Sequence, residues 1–528
     1  MTRSIPRIAL AVVAACAAAV AGIGAARSIG DDGESRAQPA AVLDPGGHAG
    51  PVPRRPNVVL LIMDEFPGDS LLGPDGRIDA TRYPNFAALA GNATWFPNAF
   101  TRYDATPKAV PLIMDGRRPF KGEDADHGDH PRSIFDMFGL RGYSIHDSEE
   151  ATAICPRRWC RHARKHRPGI LAHLNRGRPE RLERFFATIR RGRRPGFWLK
   201  HVLLPHEPYL YLPSGAHARS IAKDVVPGMN GVQGFHDRFL TQHSFQRYLL
   251  QVGFVDHELG KLLQRLVRLR MYDSTMIVLV ADHGKAFEVG VDDRRRVNQE
   301  NVDEIGPVPL FIKAPGQRRG RIDRSYVSTL DVTPTVADIL NFRLPYRADG
   351  RSAFSRAVRR RRVVSLPTRD FSRTVRIGAR RYEARRREDV RDRLALFGSG
   401  PWARLYTGIG PYRSLIGKPI GGVRRGSAST LRGRLLGAGE LGAVHRASGL
   451  VPAQIVGDVG GGRRGAKRDV AVAVNGVFRA VGRTWYLRGS RTEHFAMNVP
   501  EESLREGRND VEVFQVDRGG VLHLLART

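Results

Sequence analysis

The stretch whose reading decides the fold is Thr275-Met276-Ile277-Val278-Leu279-Val280-Ala281-Asp282-His283-Gly284. The six residues Met276 to Ala281 are all apolar, as in a strand covered on both faces of a parallel sheet. The run ends on a carboxylate, an imidazole and a glycine. In open α/β sheets the crevice beyond the carboxyl ends of the strands is where ligands bind. Acid and imidazole side by side there are natural ligands for a divalent transition metal. By itself the tripeptide is also an ordinary polar turn closing a strand.

A second strand of the same design favours the metal. Pro56-Asn57-Val58-Val59-Leu60-Leu61-Ile62-Met63-Asp64-Glu65 is again a continuous apolar run ending on acid. Asp64 stands at its strand end as Asp282 does. Two such ends side by side gather two carboxylates and an imidazole, and adjacent carboxylates repel unless a proton or a cation separates them.

Between and after these strands the chain alternates helical and strand patterns. Tyr83-Pro84-Asn85 opens a short helix through Ala90. Thr106-Pro107-Lys108-Ala109-Val110-Pro111 opens another, with Pro107 suited to its first turn. A hydroxyl at a helix N-terminus lies in a positive field beside free N–H groups, which suits an oxygen nucleophile attacking an anionic ester. The plain alternative is that Thr106 is an N-cap. Ser133 to Leu140 reads as a helix and Tyr143 to Asp147 as a strand. Residues 157–194 are Arg-rich and helical, amphipathic from Leu182 to Ile189, and read as a solvated surface. A strand from Phe197 delivers His201 and His206 into a Pro-rich loop, where two imidazoles can hold a phosphate oxygen or a metal. Residues 240–270 form one long amphipathic helix. Val308 to Lys313 is a further strand, and Asp331 caps a helix running to Leu340.

These pieces, in this order, resemble the sulfatase-like branch of the alkaline phosphatase superfamily. The resemblance covers residue 56 to about residue 350. It rests on Asn57 to Leu60 leading to Asp64, Tyr83-Pro84-Asn85, a nucleophile segment, a His-rich loop, Asp282-His283-Gly284, Val308-Pro309-Leu310, and Asp331 to Thr335. Sulfatases that use formylglycine carry Cys or Ser, a residue, Pro, a residue and Arg; this chain has neither Cys nor Ser there. Its segment instead looks like the threonine segment of phosphoethanolamine transferases and, more loosely, of lipoteichoic acid synthases. The resemblance implies Thr106 as nucleophile and metal ligand, with Asp64, Asp282 and His283 completing the metal site. It implies that His201 and His206 hold the substrate phosphate or a second metal, or protonate a leaving group. It implies that Lys108 neutralises charge in the transition state, with Glu65 as an extra ligand. The implied cofactor is a divalent ion: zinc or manganese first, calcium or magnesium as alternatives. Many relatives supply another His shortly after Asp-His-Gly; here Arg294-Arg295-Arg296-Val297-Asn298 stand instead.

The remaining features place this domain in a larger plan. The 528 residues exceed one simple domain, and 41% hydrophobic residues suffice for real cores. A net charge of +32, carried mostly by Arg, favours anionic partners: an envelope polymer or phospholipid head groups. No nucleic-acid motif is present. Arg3 and Arg7 precede an apolar run from Ile8 to Ala26, a signal peptide or a membrane anchor. Residues 27–55 read as a linker, 56–360 as the catalytic domain, 361–432 as an extension and 433–528 as an accessory domain. In that last part, alternating strands and an Asn475-Gly476 turn read as an antiparallel β-sandwich. Cys155 and Cys160, an isolated close pair in an exported chain, read as a local disulfide.

The expectation is therefore an exported α/β enzyme with an alkaline-phosphatase-like, mainly parallel sheet. It is a metal-dependent hydrolase or transferase acting on a phosphate ester of the cell envelope. The rivals are a sulfatase acting on sulfated glycans and an inactive envelope-binding protein.

Overall fold

In the computed structural model, the apolar runs of the sequence become the centre of a seven-stranded sheet. The structure describes residues 53–160, 174, 177–219, 237–290, 293–463, 465–487 and 489–527. The expected targeting segment, and nearly all of the expected linker, lie outside the described residues.

The strands are β1 (Val58–Asp64), β2 (Thr94–Trp95), β3 (Ser144–Ser148), β4 (Gly196–Pro205), β5 (Met276–Ala281), β6 (Leu310–Lys313) and β7 (Arg321–Ile322). Their order is β3-β4-β1-β5-β6-β2-β7. The pairs β3–β4, β4–β1 and β1–β5 are parallel, whereas β6 runs antiparallel to both neighbours. Strands β1, β4 and β5 are buried along their whole length, which explains the apolar runs of β1 and β5 and leaves Lys200 and His201 as buried polar residues within β4.

Helices cover the sheet. Those that matter for the site are α1 (Pro84–Ala90), α2 (Thr106–Asp115), α3 (Ile134–Gly139), α4 (Arg178–Thr188), α5 (Arg238–Arg268), α6 (Val332–Ile339) and α7 (Ala379–Phe397). The long amphipathic pattern is α5, capped by Asp237, whose side chain accepts from Leu240 N. Asp256 on α5 in turn accepts from the backbone N–H groups of Asn85 and Phe86 at the start of α1. One correction concerns Asp331. It precedes α6, but its carboxylate does not cap that helix. It accepts from Ser328 N and Arg351 N and pairs with Arg361, so it closes the turn before the helix.

After the sheet comes a hairpin, β8 (Val363–Pro367) with β9 (Thr374–Gly378), and then α7. The linker-like run 400–432 forms short 3-10 turns with buried anchors such as Leu405, and Trp402 packs edge-on against Tyr83. Two further sheets follow. One is β10 (Arg432–Leu436), β11 (Gln454–Gly460), β14 (Trp485–Tyr486), β15 (Glu493–Asn498) and β18 (Ala526–Arg527). The other is β12 (Asp469–Val474), β13 (Val477–Arg483), β16 (Val511–Val516) and β17 (Leu522–Leu524). Val470, Val472 and Val474 of the second share a hydrophobic core with Ile455, Phe495 and Met497 of the first. All pairings are antiparallel except β10–β18. The expected disulfide joins Cys155 to Cys160.

Candidate active site

The site follows from strand register. Met63 of β1 pairs with Ala281 of β5, so the next residue of each strand, Asp64 and Asp282, leaves the sheet at the same edge. On the other side of β1, Ile62 pairs with His201, and the register then shifts so that Asp64 lies opposite Pro205. This irregularity keeps His201 inside β4, where the sequence had suggested a loop, and puts His206 immediately beyond the strand.

One oxygen of each aspartate and one nitrogen of His201 lie within 4.8 Å of one another, all buried. His201 Nε2 is 3.8 Å from Asp64 Oδ2, and His283 Nε2 is 3.5 Å from Asp282 Oδ2. Asp64 Oδ2 and Asp282 Oδ2 are buried without a hydrogen-bond partner. Burial raises the pKa of both, and Asp282 and Glu65 add like-charge repulsion at Asp64. Two unpartnered carboxylate oxygens beside imidazole nitrogens fit the donor set of a divalent transition metal.

Thr106 is the first residue of α2. Ala105, in extended conformation, holds the N-cap position, so the threonine hydroxyl is not spent on capping. Its Oγ1 lies 3.4 Å from Asp64 Oδ1 and 3.4 Å from His283 Nε2. His283 Nδ1 is 2.8 Å from the Gly284 carbonyl. A carbonyl only accepts, so Nδ1 donates to it and Nε2 is the ring nitrogen turned toward Thr106 and Asp282. Asp282 Oδ1 accepts from the backbone N–H groups of His283 and Glu65, and its own carbonyl accepts from Thr101. Gly284 is needed for a steric reason. A Cβ there would lie 2.6 Å from the Glu304 carbonyl oxygen and 2.7 Å from that of Ile305.

Beside this group lies a second cluster, of opposite character. Glu65 has a left-handed backbone, φ 56°, and turns the chain out of β1 directly after Asp64. Its carboxylate faces Arg294 at 2.7 Å, Arg295 at 3.5 Å and Lys285 at 3.7 Å, with the His206 ring at 3.5 Å. Burial alone would raise its pKa, but the neighbouring cations, Arg294 first and then Lys285 and Arg295, outweigh burial and hold it well below the usual range. Glu65, expected as an extra metal ligand, is committed to these cations. Glu207 accepts from the same group, 3.1 Å from Arg294 and 3.8 Å from Lys285. His206 Nδ1 bonds to the Glu207 carbonyl at 2.6 Å, and its Nε2 faces Glu65 Oε1 at 3.5 Å. Burial pushes its pKa down to about 3, so the ring is neutral.

The loop carrying His206 is pinned from outside. Buried Arg178 donates to the carbonyls of Leu203, His206 and Pro208, and Gln251 donates to those of Pro205 and His206. Lys108 is the expected site residue that the structure sets apart. Its ammonium donates to the carbonyls of Phe120 and Glu123 and packs over Phe371. The rim there is the β8–β9 turn, where Phe371 stacks on Tyr103 and Arg369 pairs with Asp104 and Asp293. The roles of Lys285 and Glu207 were not read from the sequence; the only signal was their nearness to Asp-His-Gly and to His206.

Residues 174–342 match the sulfatase family model. The chain is 24% identical to the choline-sulfatase of Rhizobium meliloti over 357 residues, 55% of this chain and 68% of that protein. It is 21% identical to an ulvan-active sulfatase of Formosa agariphila over 336 residues, 56% of this chain and 64% of that protein. The chain thus spans about two thirds of each. Among solved structures, the phosphonate monoester hydrolase of Agrobacterium radiobacter aligns with a TM-score of 0.45 and 18% identity, over 63% of this chain and 83% of that one. A mainly parallel sheet here delivers paired carboxylates, imidazoles and a hydroxyl to one edge. With the sulfatase match over residues 174–342, these findings support a hydrolase of the sulfatase-like branch of the alkaline phosphatase superfamily.

Proposed function

We propose that this chain is an exported, metal-dependent hydrolase or transferase that acts on a phosphate ester of the cell envelope through Thr106. The observation that carries the reading is the Thr106 hydroxyl, 3.4 Å from both Asp64 Oδ1 and His283 Nε2 at the start of a helix. Both neighbours are acceptors that can take or share its proton, and the helix N-terminus favours the alkoxide. Asp64, Asp282, His283 and Thr106 would hold the metal, and its mixed oxygen and nitrogen donors suit zinc or manganese better than calcium or magnesium. When bound, such an ion polarises the ester and lowers the pKa of a hydroxyl. Thr106 passes its proton toward Asp64 and attacks phosphorus in line, the P–O bond to the ester's alcohol breaks and the alcohol leaves, and the phosphothreonine is then cleaved by water or an acceptor hydroxyl. His201 and His206 would hold the substrate phosphate or pass a proton to the leaving group. His201, whose ring nitrogen lies with Asp64 and Asp282 oxygens within 4.8 Å, would add a nitrogen donor beside them.

The N-terminal apolar run supports export, and the strongly basic surface supports an anionic envelope polymer or phospholipid as substrate, with no role for nucleic acid. Residues 56–360 form the catalytic part, 361–432 an extension packed on it and 433–528 an accessory β-sandwich. Among the described residues, no helix is long and apolar enough to cross a membrane.

A second reading is a sulfatase, favoured by the names of the relatives above and opposed by threonine at the nucleophile position. The test is turnover of nitrophenyl phosphate, bis-nitrophenyl phosphate and nitrophenyl sulfate by the wild type and by Thr106→Ala. The phosphate reading expects phosphoester turnover, abolished by chelator and at least a thousandfold lower in the mutant. Sulfate turnover that survives Thr106→Ala would refute the nucleophile assignment.

A further inference from the structure

The catalytic cluster lies at the carboxyl ends of β1, β4 and β5, and the amino ends of the same strands meet at the opposite edge of the sheet. They start flush. Val58 of β1 lies opposite both Phe197 of β4 and Met276 of β5, and Ser144 of β3 lies opposite Gly196. Antiparallel β6 brings its last residue, Lys313, to this edge, opposite Ile277. The segments entering or leaving these strands there are 53–57, 139–143, 189–196, 267–275 and 314–320. Segment 341–347 joins them, because Arg141 donates to the Arg343 carbonyl and packs over Phe342. Arg55 donates to the Arg141 carbonyl, and Arg191 to those of Leu269 and Arg270, so neighbouring segments touch.

These six segments hold thirteen arginines and one acid, Asp273. The whole chain has 85 basic and 53 acidic residues, so the bias at this edge exceeds the general basic excess. All of the thirteen except Arg141 and Arg318 are exposed. Among the described residues, only Arg318 of the thirteen pairs with a carboxylate, that of Asp273. Arg55, Arg141 and Arg191 bond to carbonyls, which carry no net charge to offset theirs. An ordinary solvated face mixes both signs. Two large apolar side chains stand in water among these arginines. Leu140 is 59% exposed, the most of any large hydrophobic among the described residues, and Val267 is 46% exposed.

We propose that the amino edge of the sheet is a docking face for an anionic lipid bilayer. Guanidinium groups pair with lipid phosphates, and protruding apolar side chains enter the boundary between head groups and acyl chains. A polyanion in water gives Leu140 and Val267 nothing apolar to enter, which favours a bilayer over a soluble polymer. The chain also enters the fold on this face, at 53–57, and residues 27–52 join it to the apolar run from Ile8 to Ala26. The seven residues of β1 lead from this face to Asp64, about 20 Å away. A docked molecule therefore turns its site away from the bilayer, toward an envelope polymer and not toward the head groups it rests on. The docking does not depend on the reaction assigned above.

The experiment is co-sedimentation of the full chain with vesicles of phosphatidylcholine alone and of an equal mixture of phosphatidylcholine and phosphatidylglycerol, at low and high salt. Val13→Asp and Val20→Asp are carried throughout, so that the N-terminal apolar run cannot hold the vesicle by itself. Into this parent are placed Arg190→Gln with Arg193→Gln and Arg194→Gln, and separately Leu140→Ser, each with its melting temperature. The parent should bind the anionic vesicles at least tenfold more tightly than the neutral ones, and high salt should remove the difference. Each basic residue at such a surface is worth roughly fivefold, so the triple variant should lose at least tenfold with unchanged melting. Leu140→Ser should lose at least twofold. If the triple variant melts lower, Arg193→Gln alone decides, with an expected loss of roughly fivefold. Equal binding to both vesicles, no binding by the parent, or arginine variants within twofold of it overturn the proposal. So does a Leu140→Ser variant with unchanged vesicle binding beside a triple variant that has lost soluble polyphosphate, since that marks a polymer site.

Discussion

Asp282→Asn should make the metal-free protein more stable while removing its response to metal. Asp64 and Asp282 place ligand oxygens within 4.8 Å in a buried site. At an effective dielectric of about 20, two unit charges at that distance repel by about 3 kcal/mol. Raised pKa values already relieve part of this by protonation, so about 1–3 kcal/mol remains near neutral pH. The asparagine keeps an oxygen for the N–H groups of Glu65 and His283, and its amide can donate to the unpartnered Asp64 Oδ2. For a unit of this size 1 kcal/mol corresponds to roughly 1 °C. The assay is scanning calorimetry in chelator and in saturating manganese or zinc. Wild type should melt higher with metal, whereas Asp282→Asn should melt about 1–3 °C above wild type in chelator and ignore added metal. A variant that melts below wild type in chelator would refute the reasoning: Asp282 would then be a structural acceptor and not half of a strained cation site.

Three further outcomes are expected. Gly284→Ala would push a Cβ to 2.6 Å from a backbone oxygen, and should cost about 1–3 kcal/mol in urea unfolding and most of the activity. Arg178→Met removes donors to three carbonyls of the His206 loop; a loss of about 2–4 kcal/mol and a lower kcat are expected, and unchanged melting would show that the clamp is idle. Asp389 has its pKa pushed up to about 7 by burial, then by the charges of Asp303 and Asp69. The folded state therefore holds that proton more tightly than the unfolded chain. The associated stability is present below about pH 4 and lost as pH rises to about 7. With allowance for its partial exposure, Asp389→Asn should stabilise the protein by about 1–2 kcal/mol at pH 8 and have no effect at pH 4, measured by urea unfolding at both values.

Much of the sheet was legible because β1, β4 and β5 are covered on both faces, and a doubly buried strand is apolar at nearly every position, Lys200 and His201 of β4 being the exceptions inside it. Strands β10 and β11 were not read. Arg432–Leu436 alternates exposed and half-buried residues and contains a glycine, and Gln454–Gly460 carries Gly457 and Asp458 within a buried strand, so neither shows a clean period. Long α5 was legible from its apolar stripe as residues 240–270, whereas its cap at Asp237 emerged from the structure.

For the site, the strand ends Asp64 and Asp282 could be read from sequence, since a buried run that stops on acid has few uses other than ligation. That Thr106 reaches them could not. It depends on Ala105 taking the cap and on helix α2 pointing its first turn at β1, which are long-range facts. Lys108, two residues from Thr106, illustrates the converse, because a flexible cation takes the nearest carbonyls, here Phe120 and Glu123. By itself the sequence determined the parallel core, the acidic strand ends and the threonine in place of a sulfatase cysteine, because each is written in local pattern. Only the tertiary structure decided that Glu65 serves cations, Arg294 closest among them. Charge pairing depends on distances between segments more than 200 residues apart, and no local pattern encodes those distances.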